Sequence, residues 1–161
     1  MVLSFKMPKT SAGLLMYKIQ NNQIQIFLVH PGGPFFKNKD IWGIPKGEIK
    51  ENEDLLEAAK REFKEETGIQ PKEPFIPLEE VKMASGKIVH CWAFEGDWSG
   101  LLISNYFKME WPPKSGKFIS VPEIDKAQFF SLKEAKQKIN KAQKELIGRL
   151  ENHLKQKGIW A

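Results

Sequence analysis

Gly47-Glu-Ile-Lys-Glu-Asn-Glu53-Asp-Leu-Leu-Glu-Ala-Ala-Lys-Arg61-Glu62-Phe63-Lys-Glu65-Glu66-Thr-Gly68-Ile69 is the stretch on which the chain turns. From Glu53 to Thr67 good helix formers replace the turn residues that precede them, which predicts a helix with Asn52 as its N-cap and Gly68 as its stop. On a helix Glu62, Glu65 and Glu66 are related by i+3 and i+4, so their side chains share an arc of about 100°. Leu55, Leu56, Ala59 and Phe63 fill the adjoining arc. The acidic stripe therefore borders the buried face, and Glu62 and Glu66 are expected to be partly desolvated.

Like charges at this spacing cost a helix roughly 0.2 to 0.5 kcal/mol per pair, and burial adds to the cost. A bound cation would offset it. Clustered oxygen donors favour hard ions, and Mg²⁺ in particular binds through a few carboxylates, waters and substrate phosphates, with Mn²⁺ open as a substitute. Such an ion neutralises phosphate oxygens and acidifies a bound water while a neighbouring carboxylate accepts a proton, so the chemistry implied is attack of water on phosphorus. Carboxylate pairs on a helix are ordinarily just solvated surface. The full set of nine constrained positions from Gly47 to Ile69, however, arises by chance with a probability on the order of 10⁻⁷ or less at average residue usage.

Outward from this stretch, Ile41 to Glu48 is a short extended piece passing into a turn. Ser11 to Lys18 and Ile24 to His30 are strand-like runs around the turn-forming Gln20-Asn21-Asn22-Gln23. His30-Pro31-Gly32-Gly33-Pro34 lacks the Lys-Ser/Thr ending of a phosphate-binding loop and is taken as a turn. Val81–Ala84 and Lys87–Glu95 flank Ser85-Gly86 as a second hairpin. A long loop is expected around Trp111-Pro112-Pro113-Lys114-Ser115-Gly116-Lys117. Ser131 to Glu134 is a capping-box pattern, and Ile139, Ala142, Leu146, Leu150 and Leu154 keep helical spacing after it. Mixed strands and helices in this order suit an α/β sandwich made as one domain over residues 1 to 161.

Composition narrows the class. The 161 residues are 41% hydrophobic and hold no run long enough to span a bilayer. Met1 to Lys9 is too weakly apolar for a signal peptide, so a soluble, cytoplasmic protein is expected. Cys91 is the single cysteine, which excludes an internal disulfide and a cysteine-based zinc cage, and it is expected to be buried. His90 and His153 have no histidine partner at ligand spacing. Of the net charge of +5, all lies in residues 131 to 161, where eight Lys/Arg face three Glu. That surplus favours an anionic partner such as RNA or is merely a solvated helix face.

The spacing Gly-x5-Glu-x7-Arg-Glu-apolar-x-Glu-Glu-x-Gly-apolar over residues 47–69 coincides with the Nudix box, and the chain resembles a Nudix hydrolase. Ser11-Ala12-Gly13, Trp42-Gly-Ile-Pro-Lys46-Gly47 and Phe129-Phe-Ser-Leu-Lys-Glu-Ala135 are also similar to this family and extend the likeness over nearly the whole chain. The resemblance implies an α/β/α sandwich around a mixed sheet. It implies metal-dependent hydrolysis of a phosphoanhydride in a nucleoside polyphosphate. Glu62, Glu65 and Glu66 would be metal ligands, one of them the proton acceptor, and the Lys46 carbonyl would complete the shell. Arg61 and Glu53 would pair to hold the loop on the helix, with Gly47 and Gly68 as permissive turns.

Members often draw one more acid from outside the box; Glu95, Glu110 and Glu123 are candidates, with Glu110 favoured for its place beside Pro112 and Pro113. Tyr106, Phe107 and Trp111 are candidates to stack a base, against simple packing roles. The flanking pieces look similar to the branch hydrolysing diadenosine tetraphosphate and to MutT-like NTP pyrophosphohydrolases, which makes diadenosine tetraphosphate or an NTP the expected substrate. The alternatives are a 5′-end RNA pyrophosphohydrolase and a non-catalytic nucleotide-binding module. A module of that kind is expected to have lost box carboxylates, and this chain keeps them.

Overall fold

The computed structural model describes residues 9–159. Met1 to Pro8, most of the segment judged too weakly apolar for a signal peptide, lies outside the described residues. Strands β1 (Thr10–Gln20) and β2 (Gln23–Pro31) form the expected hairpin, and Asn21 and Asn22 both take positive φ at its tip, 54° and 61°. β1 is buried on both sides because its two faces feed different cores: Ala12, Leu14 and Met16 point to one, Leu15 and Tyr17 to the other.

Around β1 the sheet is mixed. β3 (Lys46–Glu48) pairs antiparallel with β1, β4 (Ile76–Lys82) pairs antiparallel with β5 (Ile88–Glu95), and β5 runs parallel to β1. β8 (Ile124–Ser131) closes the far edge against β2, giving the order β4-β5-β1-β2-β8 with β3 off that path. Helix α1 (Leu55–Thr67) covers one face through Ala58, Ala59 and Phe63, which meet Leu14, Met16, Phe27 and Phe94. Full burial of a side chain such as Phe63 contributes about 2 kcal/mol. Helices α2 (Leu132–Lys138) and α3 (Lys144–Gln156) cover the other face through Ala135, Leu146, Ile147, Leu150 and Leu154. This is the α/β/α sandwich expected from sequence, and no helix among the described residues is long and apolar enough to cross a membrane.

Several local expectations change. The N-cap of α1 is Asp54, not Asn52: the Asp54 carboxylate accepts from the Glu57 N–H, while Asn52 sits at φ 61° in the turn before it. Glu53 is thereby left outside the helix and free to reach Arg61. Leu55 and Leu56 are only half-buried, and Thr67 takes the fourth fully buried position. The second hairpin starts earlier than expected, at Ile76. Residues 111–117 are the tip of a separate hairpin, β6 (Tyr106–Glu110) with β7 (Phe118–Pro122), in place of a long loop.

At the C-terminal end Ser131 caps α2 by accepting from the Glu134 N–H. The helical spacing there is interrupted at Ile139, and a single 3-10 turn, Lys141–Gln143, leads into α3. This interruption matters for the site. Trp42 N–H donates to the Lys138 carbonyl, Asn140 N–H donates to the Trp42 carbonyl, and Ile44 N–H donates to Gln143 Oε1, so segment 42–44 is laced to segment 138–143.

Candidate active site

Box residues meet where β3 passes under α1. Glu62 projects from α1 so closely over Gly47 that a Cβ there would be driven into its carboxylate. Glycine is required at 47 for this approach, not for an unusual φ. Arg61 organises the acids around it: Nε and Nη2 donate to the two Glu53 oxygens at 2.8 and 3.0 Å, Nη1 to Glu62 at 2.8 Å and Glu65 at 3.1 Å, and Nη2 to the Glu48 carbonyl at 3.2 Å. The two-pronged bond to Glu53 fixes the loop before α1 on the helix. It holds the Glu53 carboxyl well below the usual range, at about 2, while the paired carboxylates push the guanidinium further up. Gly68, at φ 78°, ends the helix in the left-handed conformation expected of it.

The three box glutamates are not equivalent. Glu65 is 39% exposed and held by Arg61, whereas Glu62 is 14% exposed. Glu66 is the most desolvated: burial first, then the charges of Glu62 and Glu123, push its carboxyl up to about 8, and the Lys46 ammonium and backbone N–H only partly oppose this. Glu62 is raised mainly by burial, with Glu65 and Glu123 adding to it, and Glu123, exposed as a residue, is raised by partial desolvation of its carboxyl. Lys46 is half-buried, and desolvation lowers its ammonium from the usual lysine range.

Of the three acids considered outside the box, Glu123 is thus the one whose charge bears on Glu62 and Glu66. Glu110, favoured from sequence, lies at the hairpin end, where it accepts from the Lys114 N–H at 2.7 Å. Glu95 ends β5, and its charge bears on Tyr17.

Among the described residues no three acids are already closed into a ligand set, because Arg61 draws Glu62 and Glu65 to itself. The residues nevertheless fit a hard divalent cation. Glu62 is cradled against a glycine, the charge of Glu123 bears on both Glu62 and Glu66 and that of Glu62 on Glu66, and all three carry oxygen donors whose mutual repulsion a cation would relieve.

Beside these acids opens a cavity of about 450 Å³, in the size range of small-ligand sites. Lys46, Glu66 and Glu123 share its wall with Phe36, Ile41, Trp42, Ile44, Met83 and Ile124, and with two amide side chains, Asn140 and Gln143. Tyr106, Phe107 and Trp111, the aromatics singled out for stacking, are not in that wall. Tyr106 is 68% exposed on the separate hairpin, so neither stacking in this cavity nor core packing describes it.

Sequence reasoning missed Trp42, Asn140 and Gln143 as site residues. Gln143 carried a signal: it stands four residues after Ile139 and three before Leu146, a polar residue on an otherwise apolar stripe, and it is fully buried. Cys91 is buried as expected, its thiol pushed up to about 12 by desolvation. His30, buried beneath Trp42, bonds Asp125 at 2.7 Å and the Lys39 carbonyl at 2.6 Å.

Residues 7–150 match the family model of the NUDIX domain. Two solved structures are similar over most of the chain. A Caenorhabditis elegans Ap4A hydrolase in a binary complex is 21% identical with a TM-score of 0.66, covering 91% of this chain and 97% of that one. The NUDIX domain of Shewanella oneidensis NrtR complexed with ADP ribose is 18% identical with a TM-score of 0.69, covering 93% and 90%. At these identities the likeness concerns the fold. In sequence, 58 residues are 41% identical to Nudix hydrolase 7 of Arabidopsis thaliana, which is 36% of this chain. The match spans only about a fifth of that relative's length, 20%.

Proposed function

The chain belongs to the Nudix family, and from that premise we propose that it is a divalent-metal-dependent pyrophosphohydrolase that opens a phosphoanhydride bond of a nucleoside polyphosphate. An NTP or a dinucleoside tetraphosphate such as diadenosine tetraphosphate is the substrate. The observation that carries this reading is the crowding of Glu62, Glu66 and Glu123 beside a cavity of nucleotide-binding size.

Glu62, Glu66 and Glu123 would hold the cation, Mg²⁺ with Mn²⁺ as a substitute, and Glu65 is near enough on the same helix to join them. When bound, the ion supplies positive charge to phosphate oxygens and acidifies its water. The protein's own residues do the rest. Arg61 orients Glu62 and Glu65, and Gly47 lets the Glu62 carboxylate lie against the loop. One of the box glutamates Glu62, Glu65 and Glu66 would take up the proton of the attacking water. Lys46 presents a half-buried ammonium in the same wall to a polyphosphate, and the apolar part of the cavity, with Trp42 and Phe36, receives the nucleoside.

An RNA 5′ end is a poorer fit, because several cations of the basic C-terminal segment already have partners. Lys136 pairs with Glu151, Lys138 with Asp40, and Arg149 with Glu145 and the Leu78 and Glu80 carbonyls.

The test is a panel of NTPs, diadenosine tetraphosphate, ADP-ribose and 5′-triphosphate RNA, with and without Mg²⁺, with products separated chromatographically. Metal-dependent release of nucleotide products is expected. Metal-dependent turnover of none would replace this reading with a binding module, and a clear preference for the RNA, with salt-sensitive binding, would replace the substrate class.

A further inference from the structure

The ladder between β2 and β8 loses step beside the cavity. His30 stands opposite Lys126 and Pro31 opposite Ile124, so Asp125 is an extra residue with no partner on β2. The packing shows the same slip. Ala127 and Phe129 pack on the α1 side of the sheet, and strict alternation would send Ile124 to the opposite side, yet Ile124 lies in the α1-side core. Asp125 turns instead to His30, whose neighbours along β2, Ile26 and Leu28, belong to the other core.

His30 is held firmly enough to fix it. The side chain is 1% exposed, Nδ1 lies 2.7 Å from Asp125 Oδ1, and Nε2 lies 2.6 Å from the Lys39 carbonyl. The ring also meets Trp42 edge-on, with centroids 5.3 Å apart. On the far side of the bulge the chain is pinned through its backbone. Gly32 N–H donates to the Glu123 carbonyl at 3.0 Å, and Glu123 N–H donates to the Asn105 carbonyl at 2.8 Å. A Cβ on Gly32 would lie 2.1 Å from the Pro122 carbonyl oxygen, so glycine there serves the close approach of the two strands.

We infer that His30 is a positioning residue for metal binding: by holding Asp125 in the bulge it sets the phase in which β8 delivers Glu123 to the cavity wall beside Glu66. The inference rests on the metal-dependent reading above, in which Glu123 helps to hold the cation, and adds the device that places it. A one-residue slip turns every following side chain to the opposite face of a sheet, so a β8 drawn back into step would carry Glu123 away from Glu62 and Glu66.

The experiment is Mn²⁺ titration of the metal-free full chain without nucleotide, with unbound Mn²⁺ read from its electron paramagnetic resonance signal. The proteins are the unaltered chain, Glu123→Gln, His30→Ala, Asp125→Ala, Asp125→Asn and the double variant Glu123→Gln/Asp125→Ala. Loss of a group that orients a ligand costs about 10- to 100-fold in metal affinity, so His30→Ala and Asp125→Ala are each expected to weaken binding by at least about 10-fold, as is Glu123→Gln. Asp125→Asn keeps an oxygen that accepts from His30 Nδ1–H while removing the charge, and is expected to bind Mn²⁺ nearly as tightly as the unaltered chain. The double variant is expected to bind no more weakly than Glu123→Gln alone, because nothing is left for Asp125 to position.

A loss with Asp125→Asn equal to that with Asp125→Ala would reveal an effect of charge, and additive losses in the double variant a general weakening of the fold; either overturns the inference. The Asp125 side chain is 30% exposed, so its variants decide the outcome even if His30→Ala does not fold. Undiminished binding by Asp125→Ala beside weakened binding by Glu123→Gln overturns the inference alone. No binding by the unaltered chain, or undiminished binding by Glu123→Gln, overturns the metal reading of Glu123 with it.

Discussion

Replacing Glu66 by glutamine separates the chemical role of this carboxylate from its cost to the fold. The Glu66 carboxyl titrates at about 8 in the folded protein against 4.5 for an unperturbed group, a gap worth about 5 kcal/mol. The sign follows from which state holds the proton. Between 4.5 and about 8 the folded chain keeps the proton and the unfolded chain has lost it, so the stabilisation is complete at low pH and is lost as pH rises through about 8. Of the total, about 4 kcal/mol falls between pH 5 and pH 9, a large share of a typical domain stability of about 5 to 15 kcal/mol.

Glutamine keeps the shape and can still accept from the Lys46 N–H, but it never ionises. In EDTA, denaturant unfolding followed by fluorescence should show the native protein losing about 4 kcal/mol more than Glu66→Gln between those two pH values. In Mg²⁺ the same variant should hydrolyse its nucleotide at least about 100-fold more slowly. Equal loss of stability with pH in both proteins would refute the desolvation argument, and turnover close to normal would refute the catalytic one.

The other expectations are narrower. Gly47→Ala should displace the Glu62 carboxylate and cut turnover by about 100-fold or more while circular dichroism melts change little, because the side chain can swing away from the added methyl. Arg61→Ala should raise the pH of acid unfolding: the Glu53 carboxyl, held at about 2 by Arg61, supports the fold above 4.5 and ceases to do so as pH falls through about 2, a window that acid titration of the variant would show shifted upward. Cys91, buried with its thiol pushed up to about 12, should resist iodoacetamide at pH 8 in the native protein and react once denatured, as mass spectrometry of the intact chain would show.

What was legible in the sequence had local causes. The i+3 and i+4 carboxylates, the Gly68 stop, the Asn21-Asn22 turn and the Ser131 cap all act within a few residues, and each stands where its spacing puts it. The shift of the helix start to Asp54 is a contest between two good caps, won by the one that leaves Glu53 free for the two-pronged bond to Arg61. Glu123 could not be ranked above Glu110 because its nearness to Glu66 depends on β8 lying beside β2, a pairing that sequence spacing does not contain. Asn140 and Gln143 were hidden for a similar reason. Their place in the cavity wall depends on segment 42–44, some hundred residues earlier, lying against them.

That lacing of residues 42–44 to 138–143 also sets an order of events during synthesis. A nascent chain that has emerged from the ribosome as far as residue 130 already has every box carboxylate and Glu123. It still lacks the strip of backbone that holds the Trp42 to Lys46 approach in place and one wall of the cavity. The growing polypeptide would therefore acquire its acids early and the closed cavity beside them late, so that a prematurely released fragment carries the charges of the protein without the wall that faces them.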